Sequence, residues 1–311
     1  MRVAAIDCGT NSLRLLVADV DPAAGTHADV DRRMEIVRLG QGVDKTGRLA
    51  PEALARTIAV LRDYAEIIAS LGAQAVRMVA TSATRDADNA AEFVHLVKEV
   101  LGVAPEVLTG DEEAVLSFTG ATAELAADPG PFLVADIGGG STEFVLGEAG
   151  GTPAHSISVN IGCVRMTERH LRSDPPTPAE VAAARADIGA ALDVVAAKIA
   201  VADARTLVGL AGSVTTVAAL ALGLDAYDAG RIHHARIGAG QVQEQTARLL
   251  AMPQAERARL GVMHPGRVDV IGGGALVLTR IMARFGFGEV LVSEHDILDG
   301  LAWSLAAGAG R

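Results

Sequence analysis

Short apolar runs bounded by turn residues alternate along this chain with longer stretches of helical period. Runs at 2–7, 13–19 and 29–38 read as strands, with Asp21-Pro22-Ala23-Ala24-Gly25 as the turn before the third. Pro51 then opens a helix to about Ser70, whose apolar positions Leu54, Ile58, Leu61, Ala65 and Ile68 fall on one face and which Gly72 stops. A strand at 75–80, a helix over about 89–101, a strand at 104–108 and a helix to about 125 complete the first half. Asp128-Pro129-Gly130-Pro131 is the clearest linker. The second half repeats the order: strands at 132–136, 142–147 and 154–159, then helices at about 163–171 and 178–202 separated by Pro175-Pro176. A strand at 207–210 running through Ala211-Gly212-Ser213-Val214-Thr215-Thr216 into a helix, helices at about 240–251 and 266–285, a strand at 289–292 and a helix from about 296 to 306 follow. The pattern predicts an α/β protein of two duplicated domains, each with a mixed sheet, over residues 1–127 and 128–311. The last helix is a candidate to reach back to the first domain.

The duplication is sharpest at two turns. Ala5-Ile6-Asp7-Cys8-Gly9-Thr10-Asn11-Ser12 and Ala135-Asp136-Ile137-Gly138-Gly139-Gly140-Ser141 share one layout. Each ends an apolar strand in Asp, places Gly two positions later and Ser five positions later, and enters a second apolar strand. A hairpin of small residues can turn its backbone N–H groups outward, and concave runs of N–H bind anions. An Asp beside such a nest is a natural ligand for Mg²⁺ or for water. A lone Asp-x-Gly is ordinary turn chemistry, but the repeat at identical spacing points to a phosphate chain gripped in a cleft between two related halves.

Composition narrows the class. A chain of 311 residues exceeds the usual single core, and half of its residues are apolar. The net charge of −11 opposes a general nucleic-acid binder, which needs a basic stripe to displace counterions. It permits a polyanionic substrate if cations gather at the site, and Arg14, Arg85, Arg165 and Arg267 lie near the motifs. Apolar runs stay too short to span a bilayer, and the N-terminus enters a strand at once, so a cytoplasmic protein is expected. Cys8 and Cys163 form no metal-ligand spacing, and Cys8 reads as a small residue fitting a turn.

Four further segments carry candidate chemistry. In Gly110-Asp111-Glu112-Glu113, Asp111 and Glu112 suit the dipole of a starting helix. Glu113 falls on the inward face, where a carboxylate could serve either packing or as a general base. Arg85, after Thr84 at a strand end, offers either a guanidinium fork to phosphate or a simple cap. Ala211-Gly212-Ser213 is a strand–turn–helix start, which is either a phosphate site or a plain connection. Gly272-Gly273-Gly274 inside a helical pattern implies a close backbone approach. No Gly-x-x-x-x-Gly-Lys-Ser/Thr loop, kinase-type strand lysine, Gly-x-Ser-x-Gly elbow or His pair at metal spacing occurs, and His233-His234 reads as surface.

With these residues in place, the chain resembles the exopolyphosphatase / guanosine pentaphosphate phosphohydrolase (Ppx/GppA) family over nearly its whole length. That family belongs to the actin, hexokinase and Hsp70-like superfamily of duplicated ribonuclease-H-like domains. Asp7 to Ser12 resembles its first phosphate loop and Asp136 to Glu143 its second, while Ala80 to Arg85, Thr109 to Ala114 and Asn160 to Arg165 resemble further signatures. The resemblance implies Glu113 as base, and Asp136 and Glu143 as carboxylates organising Mg²⁺ and water. It implies the two Gly loops, Gly9, Thr10, Asn11, Ser12, Gly138, Gly139, Gly140 and Ser141, as phosphate-binding positions; Arg85, in the Arg-bearing segment, and the helix start at Gly212 and Ser213 are added as phosphate-binding candidates. The expected activity is Mg²⁺-dependent hydrolysis of the terminal phosphoanhydride of inorganic polyphosphate by a homodimer that binds neither nucleic acid nor membrane. Guanosine pentaphosphate hydrolysis is the second substrate reading. An ATP-dependent small-molecule kinase or a nucleotide-sensing regulator of the same superfamily would also suit the fold.

Overall fold

The structure, a computed structural model, describes residues 1–21, 24, 26–125, 128–151 and 153–308; the expected turn residues Pro22, Ala23 and Gly25 lie outside them. The chain divides into two compact units, Met1–Gly120 with Ile297–Arg311, and Ala121–Asp296. The sequence pattern places the division at 127/128.

The first unit opens with β1 (Arg2–Cys8), β2 (Ser12–Asp21) and β3 (Thr26–Ile36), followed by the one-turn helix α1 (Val43–Thr46) and α2 (Pro51–Leu71). Next come β4 (Ala75–Ala80), the one-turn α3 (Ser82–Arg85), α4 (Ala90–Leu101), β5 (Glu106–Val107) and α5 (Gly110–Thr122). Their sheet runs β3-β2-β1-β4-β5, antiparallel among the first three strands and parallel from β1 to β4 and β5. Of the expected core face of α2, Leu54, Ile58, Leu61 and Ile68 are buried and Ala65 is half-buried, while Tyr64 joins them, its hydroxyl reaching the Leu13 carbonyl at 3.0 Å. Gly72 ends α2 at φ 69°, a left-handed value that glycine reaches without Cβ strain.

The second unit holds β6 (Phe132–Ile137), β7 (Thr142–Gly147), β8 (His155–Val159), α6 (Cys163–His170), α7 (Pro178–Lys198), β9 (Thr206–Leu210) and α8 (Ala211–Ala221). The one-turn α9 (Ala229–Ile232), β10 (Arg236–Gly238), α10 (Ala239–Ala251), the one-turn α11 (Gln254–Arg257), α12 (Ile271–Phe285) and β11 (Glu289–Val292) follow. Its sheet runs β10-β11-β9-β6-β7-β8, and again the first three strands in sequence form an antiparallel meander with a parallel neighbour. Helix α12 starts at Ile271 rather than near 266, because Pro265–Arg267 closes a separate 3₁₀ turn. Within α12, Gly273 lies against the Cys163 carbonyl and the Thr167 hydroxyl, and Gly274 against Ser213, so a methyl group at either would overlap a neighbour. This is the close approach that three glycines in an apolar helix implied.

The chain ends with α13 (Ile297–Gly308), which belongs to the first unit. Ile297, Leu298, Leu301 and Ala302 bury against Val3, Ala5, Leu16, Ala18 and Val79, covering the face of the first sheet opposite α2. Both faces of that sheet are therefore closed, which explains why β1 is apolar at nearly every position.

Candidate active site

Within the first unit, the turn between β1 and β2 is closed by the Gly9 N–H donating to the Ser12 carbonyl at 3.0 Å. Its outer carbonyls are held from behind. Thr10 O accepts from Gly40 N at 2.8 Å, and Asn11 O accepts from Val37 N at 3.0 Å and Arg38 N at 2.8 Å. A trans peptide carries its C=O and the next N–H on opposite sides, so these contacts turn the N–H groups of Asn11 and Ser12 outward. Thr10 also shares a 2.8 Å hydroxyl–hydroxyl hydrogen bond with Ser82, which ties the turn to the Arg85 segment.

Asp7 sits directly opposite Arg14 in the antiparallel register, so both side chains lie on one face of the sheet. Arg14 donates to Asp7 Oδ2 from Nε at 3.0 Å and from Nη2 at 2.7 Å. The buried Asp7 carboxylate is thus paired through Oδ2 with a guanidinium of its own hairpin.

Glu113 lies in the first turn of α5 and is 8% exposed. Thr109 and Glu112 form a reciprocal cap there: Thr109 N donates to Glu112 Oε2 at 2.8 Å and Glu112 N donates to Thr109 Oγ1 at 3.2 Å. The Thr109 N–H holds the Glu112 carboxyl below its ordinary pKa, as the dipole reading of that residue requires. Glu113 is left for another task. Arg85 reaches it at 3.2 Å from Nη1, and the same nitrogen donates to the Leu108 carbonyl at 2.7 Å. The Arg85 guanidinium therefore ties the base candidate to the end of β5, a contact that the strand-end position of Arg85 did not reveal.

The second unit repeats the hairpin with different chemistry. Gly138 N donates to Ser141 O at 3.0 Å, matching the first turn. Asp136 sits opposite Glu143, at the register position that Arg14 fills opposite Asp7. Both carboxylates are buried, at 8% and 1% exposure, and Ser158 donates to Glu143 Oε1 at 2.7 Å. Two buried carboxylates on one sheet face form a hard oxygen donor set that suits Mg²⁺ and favours a cation between them. Sequence reasoning matches Asp to Asp in the two copies but misses that the partner changes from Arg14 to Glu143. The signal is present, since both partners stand at the same offset from their Asp.

Behind the second turn stands the start of α6. Cys163 N donates to Gly138 O at 2.9 Å, while Val164 N and Arg165 N donate to Gly139 O at 2.9 and 3.1 Å. Arg165 adds its side chain, with Nε donating to Gly140 O at 2.6 Å. Its 9% exposure makes it part of the scaffold rather than a cation spread toward solvent.

Of the other predicted positions, Ser213 is buried and hydrogen-bonds the Cys163 thiol, and Gly212 lies under the Arg267 guanidinium. Among the described residues neither makes a hydrogen bond to the 138–141 turn. Both thiols are raised by burial, Cys8 strongly, so neither is a nucleophile.

Among the described residues, two clusters of potential metal ligands lie outside this chemistry. His233 and His234 stack at 3.7 Å instead of pointing apart, because His234 adopts a left-handed φ of 61°. With Glu124 and His295, His233 forms a three-residue group of potential ligands, which sequence spacing gives no sign of. Glu294 N donates to His233 Nδ1 at 3.1 Å, so the neutral ring carries its proton on Nε2, toward Glu124 Oε2 at 3.3 Å. That tautomer makes an ordinary hydrogen bond where a metal would need a lone pair. His27, Asp29 and Asp299 form the other group, and Arg32 pairs with both of its carboxylates.

Known proteins resemble this chain over nearly its whole length. Exopolyphosphatase 2 of Mycobacterium tuberculosis is 53% identical over 316 residues, covering 98% of each sequence. The guanosine-5'-triphosphate,3'-diphosphate pyrophosphatase of Aeromonas salmonicida is 30% identical across 97% of this chain and 59% of its own greater length. The crystal structure of an exopolyphosphatase-like protein superposes with a TM-score of 0.94 at 43% identity over 99% of this chain and all of the other. That of the Aquifex aeolicus Ppx/GppA family member gives 0.83 at 32% identity, covering 100% and 99%. With residues 16–307 matching as well, the chain belongs to the Ppx/GppA phosphatase family and has its actin-like, two-domain α/β fold.

Proposed function

We propose that this protein is an exopolyphosphatase that hydrolyses the terminal phosphoanhydride of inorganic polyphosphate and releases orthophosphate, with Mg²⁺ as cofactor. The observation that carries the reading is the buried Asp136–Glu143 pair beside a turn whose N–H groups face outward. The 53% identity to an exopolyphosphatase favours polyphosphate over guanosine pentaphosphate as substrate. A cytoplasmic, homodimeric enzyme is part of the same reading, and sedimentation equilibrium checks the second half of it.

Phosphoryl transfer is mostly a matter of positioning and electrostatics, so a site without a nucleophilic side chain suffices. The outward N–H groups of the 138–141 turn receive negative charge on non-bridging phosphate oxygens. Asp136 and Glu143 would hold Mg²⁺, whose chemistry when bound is to offset charge on the phosphate oxygens. Glu113, kept in place by Arg85, orients a water and takes its proton as the new P–O bond forms. The bridging oxygen leaves with the shortened polyphosphate chain. Glu113 is the sole group given the proton, which makes it the sharpest test.

Phosphate release from polyphosphate, guanosine pentaphosphate and ATP, compared between wild type and Glu113→Gln, checks the proposal. Polyphosphate should be the best substrate. The variant should lose a factor on the order of 10² to 10⁴ in turnover, with substrate affinity little changed. Faster release from ATP would point to a nucleotide hydrolase instead, and turnover within tenfold of wild type would remove Glu113 from the mechanism.

A further inference from the structure

The second phosphate turn is held in shape by a device that the family's phosphate chemistry does not by itself require. All three of its glycine carbonyls are occupied from one side. Cys163 N takes Gly138 O, Val164 N and Arg165 N take Gly139 O, and Arg165 Nε takes Gly140 O at 2.6 Å. Because each peptide plane carries its C=O and the following N–H in opposite directions, the N–H groups of Gly139, Gly140 and Ser141 are driven to the other side. Among the described residues these three N–H groups donate to no carbonyl. The α6 N-terminus, commonly an anion site in its own right, here spends its donors on the turn. For the last peptide, Gly140–Ser141, the only backing hydrogen bond to its carbonyl among the described residues is the one from the Arg165 side chain.

We infer that Arg165 is a positioning residue: it fixes the Gly140–Ser141 peptide so that the Ser141 N–H is aimed at a phosphate oxygen, without itself binding substrate. Two observations separate this from a substrate-binding role. Arg165 is 9% exposed, so its side chain is enclosed by protein. Its Nε, the nitrogen nearest the chain, is directed at a main-chain carbonyl. Gly162 completes the device. It lies flat on the Gly139–Gly140 peptide, and a methyl group there would overlap the Gly139 carbonyl. Its backbone is extended, at φ −114°, so close approach and not conformation demands glycine.

The inference rests on the phosphohydrolase reading for its activity test, and three variants separate the explanations. Arg165→Gln keeps an N–H donor for the carbonyl and loses the charge. Arg165→Lys keeps the charge and loses the planar donor geometry. Arg165→Met loses both. For a positioning residue, Gln should retain kcat/KM for polyphosphate within about tenfold while Met loses on the order of 10², the usual worth of one oriented N–H donor. Lys restoring activity where Gln does not would mean that the charge meets substrate, and would overturn the inference. Wild-type kcat and KM in Met, whatever happens to its Tm, would also overturn it.

A second readout needs no turnover. The Ser141 amide of the wild type should shift in ¹⁵N–¹H spectra on adding tripolyphosphate, and the shift should be lost in Arg165→Met and kept in Arg165→Gln. If the wild type released no phosphate at all, the proposed function would fail while this arm still decided the positioning role. An unmoved Ser141 amide in wild type at saturating tripolyphosphate would contradict it.

Discussion

The two hairpin turns are copies in backbone and opposites in charge. Each closes with the same hydrogen bond, Gly9 N to Ser12 O and Gly138 N to Ser141 O, both 3.0 Å. Each has its outer carbonyls pulled back by the segment after the third strand, 37–40 in the first unit and 162–165 in the second. A glycine presses on the turn in both: Gly40 against the Thr10 side chain, Gly162 against the Gly139–Gly140 backbone. Yet the first turn neutralises its Asp with Arg14, and the second sets its Asp against another carboxylate, Glu143. A duplicated anion cradle has thus become asymmetric. One copy pairs its carboxylate with a guanidinium, and the other places two carboxylates on one face.

Making the second turn more like the first should have the largest effect. Glu143→Gln removes one of the paired charges at nearly constant shape and should lower phosphate release by about 10² to 10³ at fixed Mg²⁺. Assays across a Mg²⁺ series should show partial recovery at high metal, and full activity at low metal would break the asymmetry.

The two buttressing glycines come next. Gly162→Ala must displace backbone, so kcat/KM should fall by on the order of 10². Gly40→Ala meets Thr10 Cγ2 and Ala83 Cβ, neither the end of a flexible side chain, so the turn must yield there too; stability should drop by about 1–3 kcal/mol and activity by about tenfold, less than for Gly162→Ala, whose methyl group meets peptide atoms directly. Steady-state kinetics and denaturant melts of both variants check the ranking.

The Asp7–Arg14 pair should matter for folding more than for metal. Arg14→Gln leaves a carboxylate with 5% side-chain exposure facing a neutral amide, and it should cost about 1–3 kcal/mol. The Mg²⁺ requirement should not change, and a metal titration beside the melt reads both.

Smallest of all is the expected effect of thiol reagents. Cys8 in the first turn and Cys163 behind the second are buried with raised pKa values. Iodoacetamide near pH 8 should therefore label neither in the folded protein, with activity retained; rapid labelling with loss of activity would show that a turn opens.

The hairpins are legible in the sequence because their determinants are local. Asp, Gly and Ser at fixed offsets between apolar strands need no long-range information, and the long helix from Pro51 with its Gly72 stop is equally self-contained. The helix face that carries Glu113 is legible from periodicity. Its tether to Arg85 is not, since that contact depends on where β4 and β5 end relative to each other. The role of Arg165 is hidden for a similar reason. Proximity to a motif suggests a cation for substrate, and only the fold places its Nε on the Gly140 carbonyl. Adjacent positions such as His233 and His234 point apart only in regular backbone, and the left-handed φ at His234 breaks that alternation. Element ends shift where tertiary packing takes over, as at α12, whose start is set by the turn at 265–267 rather than by the apolar run.

The central proposal is that the Asp136–Glu143 carboxylates, and not the Asp7–Arg14 pair, would hold Mg²⁺ and so set the metal dependence of hydrolysis. A Mg²⁺ titration of polyphosphate hydrolysis by wild type, Asp136→Asn and Asp7→Asn tests it directly. Asp136→Asn should raise the concentration for half-maximal rate by at least tenfold, and Asp7→Asn should leave it within about twofold of wild type while lowering Tm. The reverse pattern, or an Asp136→Asn variant with wild-type metal dependence, would contradict the account.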